Sequence, residues 1–455
     1  MLDIISCIEW KSILLVIGLL LISLLVIKLF EKKLNLKPEM KRKLFHMSMG
    51  IVMLSFPYIF TSIISVGTLG ILGLIVLFCL KNTKLKDSLG TILYSVNRES
   101  LGEVFFVISV FTIFYLSKGD KILYSIPILV LTFADSIAAL IGKNYAKKNL
   151  AEETEDAKSL EGSFMFFMVA FMATLVPLLL FTTVGREETL IIATIIGFNV
   201  ALIEMISHTG NDNLLIPLTT YAFLVTHINL DVEILRENLI LLGVIFIIVT
   251  VINRVKTLSK LALVEVMVVG YLTISLYGLY AIVPPLMLFL TCMNFPRLRE
   301  NEKSNIYDSR IIETNVVIGI AICGLVAITG YRAEFFMVYA SAYAMHLTVN
   351  SFVRFKYFFN LSELDSIFLS FSKGLIFVFI PSLIVNKVIF GIVPGFWMLL
   401  IMVVLLFISA VIIKIEKRNV ETEEITVKNG YMHTQIVFVL SMIMYILQSL
   451  KVLLV

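Results

Sequence analysis

The sequence has few of the residues that build sites in soluble proteins. Its four cysteines fall singly and no CxxC spacing occurs, so neither a zinc site nor a disulfide framework is indicated. Charged residues make up only 15% of the chain. A GxxxxGK[ST] string and a kinase-type glycine-rich loop are also missing, which excludes the common soluble nucleotide-binding folds. The net charge of +4 gives no sign of a nucleic-acid partner.

What the chain has instead is long apolar runs. Hydrophobic residues make up 59% of its 455 residues, and its mean hydropathy is +0.97. Runs of about twenty apolar residues match the ~30 Å hydrocarbon core of a bilayer. The first run, 13–30, is too long for the apolar part of a signal peptide, so we interpret it as a retained span. The sequence predicts an all-α, polytopic integral membrane protein.

We predict about sixteen transmembrane helices, with the N-terminus outside. With this orientation, 28 of the 37 Lys and Arg residues fall in alternate loops, which the positive-inside rule makes cytoplasmic. The predicted spans are 12–30, 44–60, 62–80, 103–117, 122–142, 160–181, 189–207, 214–229, 238–252, 261–279, 281–294, 311–329, 335–353, 362–385, 391–413 and 433–454.

Polar clusters collect at the cytoplasmic ends of four predicted spans. They are "MKRKLFH", "YSVNRESLGE", the segment from Asp135 through "KSLEGS", and "LIEMISHTGNDNLLIP". The basic loops by themselves need no function, because Lys and Arg in such loops set the orientation of the helices in the membrane. The "NDN" string by itself is typical of a turn. Asp135 and Glu204 are different, because an ionisable group at membrane depth costs roughly 2.5–3.5 kcal/mol on insertion scales. Such groups usually face a partner, an ion or a wet cavity.

The residue types in these clusters fit a nucleotide and a metal ion. Carboxylates with an Asn suit Mg²⁺, which also bridges phosphates, and Lys and Arg suit the phosphates themselves. Ser159 is placed to cap a helix whose free N–H groups can face an anion. The arrangement predicts Mg²⁺-assisted phosphoryl transfer between a cytosolic nucleotide and a lipid-borne group. Asp135, Ala138 and Gly142 share a helix face, where small neighbours would allow a close approach to the acid.

At these residues the chain resembles the membrane-bound polyprenol kinase family, which includes phytol kinase, dolichol kinase and the CTP-dependent diacylglycerol kinase. The resemblance rests on four motifs in family order over residues 40 to about 220: "RKLFH", "ADSIAALIGKNY", "KSLEGS" and "GNDNLLIPL". It implies transfer of the γ-phosphate of CTP to the hydroxyl of a prenyl-type alcohol or diacylglycerol, with Mg²⁺ as cofactor and CTP as co-substrate.

The predicted site residues follow from these motifs and from the polar clusters. We expect catalytic roles for Asp135, Lys158 and Glu161, with Asp135 and Lys158 meeting at the inner leaflet. Whether Asp135 is a base or a metal ligand stays open at this point. The expected nucleotide- and phosphate-binding residues are Arg42, Lys43, His46, Lys143, Ser159, Gly162 and Ser163, and the expected metal ligands are Asp135, Glu204, Asp212 and Asn213.

The domains are predicted as residues 1–39, an N-terminal helix and basic loop, 40–255, the kinase-like catalytic domain, and 256–455, a second helical domain. The second domain weakly resembles the phytyl-phosphate kinase type of membrane protein. At that family's acidic positions this chain has Leu347 and Phe352, which implies a non-catalytic domain. The polar residues His346, Asn350 and Glu313 could line a cavity there.

Two alternatives to the kinase remain from the sequence. A phosphatidate cytidylyltransferase also joins CTP to a lipid, but its Pro-Gly-His-Gly-Gly signature is missing here. A transporter or scaffold with a degenerate kinase half would place charges near the midplane rather than at one rim. The Lys-, Ile- and Asn-rich composition favours a bacterial inner membrane, with the site facing the cytoplasm. The expected partners are a membrane lipid and a nucleoside triphosphate, and nothing in the sequence indicates an oligomeric state.

Overall fold

A computed structural model describes residues 8–34, 38–82, 102–145, 159–207, 210–252, 260–293, 332–391 and 396–416. Within these ranges the regular structure is helical, without a strand, which confirms the all-α prediction. The chain divides into two compact units, Met1–Ile240 and Leu241–Val455, and each is described by itself. The three-part domain division stays a prediction.

The first unit contains ten described α-helices and the start of an eleventh. They are α1 (Trp10–Leu34), α2 (Pro38–Leu54), α3 (Phe56–Ile59), α4 (Ile63–Asn82), α5 (Gly102–Ser117), α6 (Lys121–Leu129), α7 (Asp135–Tyr145), α8 (Leu160–Phe181), α9 (Arg186–Ile206), α10 (Asp212–His227) and α11 (Val232–Ile252).

The second unit contains six described α-helices after α11. They are α12 (Lys260–Tyr277), α13 (Val283–Met293), α14 (Arg332–Val353), α15 (Glu363–Gly374), α16 (Ile380–Phe390) and α17 (Phe396–Glu416). Residues 336–349 of α14 are buried all round, as expected for the central helix of a bundle. Gly374 allows this packing, because a Cβ there would lie 2.6 Å from the Ala344 carbonyl oxygen.

The helix carrying Asp135 is continuous but changes its winding before the acid. Asp120 caps α6 by accepting hydrogen bonds from the N–H groups of Ile122 (2.8 Å) and Leu123 (3.0 Å). Pro127 lacks an N–H donor, and a π-helical segment, Val130–Ala134, then joins α6 to α7. Such bulges are rare and are found frequently at functional sites.

Six helical segments are long and apolar enough to cross a membrane within the described residues. They are Trp10–Glu31, Lys121–Gly142, Leu160–Phe181, Arg186–Ile206, Val232–Val251 and Glu363–Phe390. The membrane class predicted from composition is therefore supported, but neither the sixteen predicted spans nor the outward N-terminus is. The predicted span 44–60 is broken at Ser55, between α2 and α3. Other predicted spans are shorter apolar helices, such as Ile63–Cys79 and Gly102–Ser117.

Several predictions fall partly or wholly outside the described residues. The predicted spans 311–329 and 433–454 lie outside them, as do Glu313 and most of the cluster "YSVNRESLGE". In the second unit, His346 is buried and Asn350 is half-buried, while Leu347 and Phe352 are buried apolar residues of α14. The non-catalytic role of this unit stays a prediction.

Candidate active site

The first unit contains a buried ion pair between two helices. Lys43 on α2 donates its Nζ to both carboxylate oxygens of Asp135, each at 2.8 Å, and the two side chains are only 5% and 10% exposed. The same Nζ also lies 3.5 Å from the backbone oxygen of Asp135. Taking both charges out of water is costly, and a lysine that contacts both oxygens supplies the compensation such a pair requires. Lys43 therefore fixes Asp135 as an oriented carboxylate.

His46 completes the cluster one turn further along α2. Its Nε2 lies 3.6 Å from Oδ2 of Asp135 and 3.4 Å from the carbonyl oxygen of Leu131. The imidazole packs edge-on against Phe106 of α5, with ring centroids 5.2 Å apart. Three elements thus meet at the acid: α2 provides a lysine and an imidazole, the π segment provides a carbonyl, and α5 provides an aromatic ring.

The close approach of α2 to the helix carrying Asp135 depends on Gly50. A Cβ at Gly50 would lie 2.6 Å from the Cβ of Thr132, which sits in the π segment. Lys43, His46 and Gly50 follow one face of α2 at i, i+3 and i+7. A glycine at the crossing point therefore brings the lysine and the imidazole of this face to the acid.

Arg42 lies beside this cluster, nearer to solvent. Its Nη2 donates to Oε1 of Glu39 at 2.6 Å, and about a third of its side chain is exposed. Asp135 and Asp212 both attract the guanidinium, so the acids of two further helices act on it electrostatically. A partly exposed arginine next to a buried ion pair suits an anion that approaches from the aqueous side.

The motif "KSLEGS" begins α8 alongside α7. Ser159 caps the helix as predicted, because its Oγ accepts a hydrogen bond from the N–H of Gly162 at 3.1 Å. Gly162 and Gly142 pack against each other, and a Cβ at Gly162 would lie 3.2 Å from the carbonyl oxygen of Ala138. The small-residue face predicted for α7 is therefore where α8 approaches.

The other residues of this motif have different surroundings. Glu161 lies in the first turn of α8. Ser163 donates to Oε2 of the buried Glu204 at 3.4 Å, which joins α8 to α9. Lys158 lies outside the described residues, so its pairing with Asp135 stays a prediction. Lys143 lies in α7, and its side chain is outside the described part.

The motif "GNDN" ties α10 to α5. The side-chain amide of Asn213 donates to the carbonyl oxygen of Gly102 at 2.8 Å, and its backbone N–H donates to Oδ1 of Asp212 at 3.0 Å. Asn213 thus joins the starts of two helices, one of which carries Phe106. This contact gives the asparagine a structural role at the edge of the site.

The four predicted metal ligands do not form a ready-made metal site. Among the described residues, no three His, Cys, Asp or Glu side chains are grouped so that they could hold a metal ion. Each oxygen of Asp135 accepts a hydrogen bond from Lys43, whereas Glu204 contacts Ser163 and Asp212 contacts the backbone of Asn213. The role of these four residues as metal ligands stays a prediction.

Several contributors were not predicted. Phe106, the Leu131 carbonyl and the Gly50–Thr132 contact were missed, because each depends on which helix faces share a boundary. A partial signal was available for one of them. Gly50 follows Lys43 by seven residues, the spacing at which a small residue lies on the same helix face and allows close packing.

Comparison with known proteins gives one relative of known activity. The chain is 31% identical to phytol kinase from Synechocystis sp. over 128 residues, which is 28% of this chain and 54% of that protein. The match therefore spans about half the length of the relative. No family model and no solved structure matches the chain. Over that segment the chain is similar to a prenyl-alcohol kinase, which supports a distant relationship to kinases of this type.

Proposed function

We propose that this protein is a membrane-embedded lipid-alcohol kinase, which transfers the γ-phosphate of a nucleoside triphosphate to the hydroxyl of a prenyl-type alcohol or diacylglycerol. The observation that carries the proposal is the buried cluster of Asp135, Lys43 and His46 beneath Arg42. The similarity to phytol kinase supports the same class of reaction.

Asp135 is the group that accepts the hydrogen bond, and then the proton, of the lipid hydroxyl. Lys43 orients this carboxylate, since it contacts both oxygens. The Nε2 of His46 lies 3.6 Å from Oδ2, one of these two oxygens. In phosphoryl transfer most of the catalysis comes from positioning the reactants and stabilising charge. An oriented carboxylate beside fixed cations can supply both of these contributions.

The phosphates of the nucleotide lie toward the aqueous rim in this proposal. Arg42 is suited to a bidentate phosphate contact, with Lys143 and Lys158 as further predicted cations. The start of α8 offers backbone N–H groups beside its Ser159 cap, and helix N-termini bind anions readily. The carbonyl of Ala138 and the two facing glycines leave little side-chain bulk there.

We propose CTP as the nucleotide and Mg²⁺ as the ion, on the basis of the family resemblance. Mg²⁺ usually binds through one or two carboxylates plus substrate phosphates, so an ion delivered with the nucleotide does not require the three-ligand group that the described residues lack. We also propose that the site faces the cytoplasm of a bacterial inner membrane, because the basic loops adjoin it.

The test uses the full-length protein, purified in detergent and incubated with Mg²⁺ and γ-labelled CTP, ATP or GTP. The panel contains phytol, a polyprenol, undecaprenol and diacylglycerol. We expect a labelled lipid monophosphate from at least one alcohol, lost in Asp135→Asn. Asp120→Asn is the matched control, because it removes a charge from the same helix and asparagine caps as well as aspartate.

Product analysis separates the alternatives. With phosphatidate as the acceptor, a cytidylyltransferase would give a CDP-lipid and pyrophosphate from α-labelled CTP, whereas a kinase acting on an alcohol leaves that label in CDP. A transporter or scaffold would give no labelled lipid. Absence of a labelled monophosphate with every nucleotide and every alcohol overturns the proposal, as does unchanged activity in Asp135→Asn.

A further inference from the structure

An apolar groove opens on the side of the first unit, between α2, α3, α4 and α5. None of its nine lining residues has a polar side chain, and they include Met53, Gly70, Phe106, Val107 and Phe111. Phe111 is 38% exposed, so the groove opens to the outside of the helix bundle. Its volume is about 40 Å³, room for roughly three water-sized groups.

Two features connect this groove to the candidate site. Phe106 belongs to both, since its ring packs edge-on against His46 and also lines the groove. Met53 follows His46 by seven residues, so it lies on the same face of α2, about 10 Å further along the helix. The candidate site and the groove therefore lie along the same surface of α2 and share Phe106 as a common wall.

The direction of this surface suits a lipid that enters from the bilayer. A lipid alcohol keeps its hydroxyl near the polar edge of the membrane and its chain among apolar groups. Along α2 the polar cluster occupies the part that contains Lys43 and His46, and the groove occupies the part that ends at Met53. The order of polar and apolar parts in the protein matches the order of head and tail in such a molecule.

Two glycines of α4 leave the groove free of side chains where α4 packs against α5. A Cβ at Gly70 would lie 3.2 Å from Cγ1 of Val107, and one at Gly67 would lie 3.2 Å from Cε2 of Phe111. Both distances are tighter than ordinary van der Waals contact. Side chains at these two positions would therefore narrow the groove or push the two helices apart.

We infer that this groove binds the apolar chain of the lipid alcohol whose hydroxyl is placed at Asp135. The inference rests on the proposed function and deepens it, since it makes the substrate a single-chain alcohol whose first carbons pass Phe106. The chain then runs between Met53 and Val107, with its far end in the bilayer. Selection among alcohols is made at the groove rather than at the polar cluster.

A photoactivatable probe tests this binding without relying on catalysis. The probe is a twenty-carbon isoprenoid alcohol with a diazirine near the middle of its chain and a terminal alkyne. It is irradiated with the full-length protein in lipid nanodiscs, without nucleotide. We expect the cross-linked peptides to contain Met53 or the 106–111 segment, with excess unlabelled alcohol reducing the yield at least fivefold. Cross-links confined to other helices overturn the inference.

A chain-length comparison tests the same groove through activity. Val107→Trp fills the groove, and Ile108→Trp is the matched control, because Ile108 is the next residue of α5, is 41% exposed and does not line the groove. We expect Val107→Trp to raise the KM for a twenty-carbon alcohol at least tenfold relative to Ile108→Trp. For an alcohol of ten carbons or fewer the two variants should differ less than threefold.

The outcomes separate this inference from the proposed function. Equal effects of the two tryptophans, or equal losses on long and short alcohols, overturn the groove assignment while an Asp135-dependent kinase activity still stands. Absence of phosphorylation of any alcohol overturns the proposed function. In that case, cross-linking at the groove that excess unlabelled alcohol suppresses would still identify a lipid-binding surface. If such cross-linking were also absent, both the proposed function and the groove assignment would be rejected.

Discussion

At the scale of single residues, the pairing of Lys43 with Asp135 combines a structural and a chemical role. Two buried charges on different helices stabilise each other only while both are present. An ion pair of this kind contributes little to net stability compared with apolar residues of similar volume. Net stability alone therefore does not account for this pair, and we propose that the carboxylate serves the chemistry.

The first prediction separates these two roles. Lys43→Met leaves Asp135 charged and uncompensated, which typically costs about 3–5 kcal/mol. We expect a clearly lower thermal unfolding temperature in detergent and no kinase activity. The double variant Lys43→Met with Asp135→Leu removes both charges and should regain most of the lost stability, but no activity.

Lys118→Met is the control for loss of a lysine, because Lys118 is exposed in the turn after α5. Its unfolding temperature and activity should stay close to those of the unchanged protein. Equal stability of Lys43→Met and Lys118→Met would contradict the ion pair. Activity in the double variant would contradict the role of Asp135.

At the scale of helices, glycines decide which faces meet. Gly50 lets α2 reach the π segment at Thr132, and Gly142 with Gly162 lets α8 reach α7. For the second contact, the small residues that share one face of α7 predicted a close approach by another helix or a phosphate, but not that α8 would be that helix. The sequence did not predict the first contact, since apolar patterns give the depth of a residue but not the rotation of its helix. For this reason Lys43 was expected as a phosphate contact, and its bond to Asp135 was missed.

The second prediction concerns the crossing at Gly50. Gly50→Ala places a Cβ 2.6 Å from that of Thr132, so α2 must move away and carry Lys43 with it. We expect a loss of activity of at least tenfold and a lower unfolding temperature. Adding Thr132→Gly removes the opposing side chain and should recover much of both.

A second glycine serves as the control for this pair. Gly73 lies in α4 with nothing within 4 Å of an added Cβ. Gly73→Ala should leave activity unchanged and stabilise the helix by up to about 1 kcal/mol, the usual gain of alanine over glycine. If Gly50→Ala behaved like Gly73→Ala, the crossing would not control the site.

At the scale of the whole molecule, the composition predicted an all-α membrane protein, whereas the packing of the helices determined where each helix begins and ends. An apolar chain with no soluble-type faces must be helical in a membrane, because every backbone polar group has to be satisfied within the segment. Within the described residues fewer helices reach spanning length than the sequence predicted, because helix ends such as the break at Ser55 depend on tertiary contacts that an apolar run does not record. Helices of 16 or 17 residues in α5 and α2 were counted as full spans for the same reason.

The third prediction addresses the orientation of the protein in the membrane. In a variant with its four cysteines replaced by serine, single cysteines are placed at Lys118, in the turn before α6, and at Lys148, in the basic segment after α7. The helical path from Lys121 to Tyr145 is about 37 Å long, enough to separate the two positions by a bilayer.

A membrane-impermeant maleimide applied to intact cells should label the cysteine at position 118. The cysteine at position 148 should react only after the membrane is disrupted, because the basic loops are predicted to be cytoplasmic. The reversed pattern would place the candidate site on the outer face and would contradict a cytosolic nucleotide.

The π segment Val130–Ala134 lies directly before Asp135 in an apolar helix. The direction in which the carboxylate points therefore depends on the winding of this segment, whereas insertion into the membrane depends only on the apolar composition of the helix. A π turn accommodates one more residue than an α turn, and one residue corresponds to a rotation of about 100°. Deleting one apolar residue from the π segment would therefore give an α turn of nearly the same rotation and leave the direction of Asp135 nearly unchanged. Inserting one apolar residue into α6 would leave a hydrophobic helix that still enters the bilayer, but it would turn Asp135 toward a different neighbour. In this protein, a frame-preserving gain of three nucleotides in α6 would therefore abolish the proposed chemistry without any sign in a hydropathy plot.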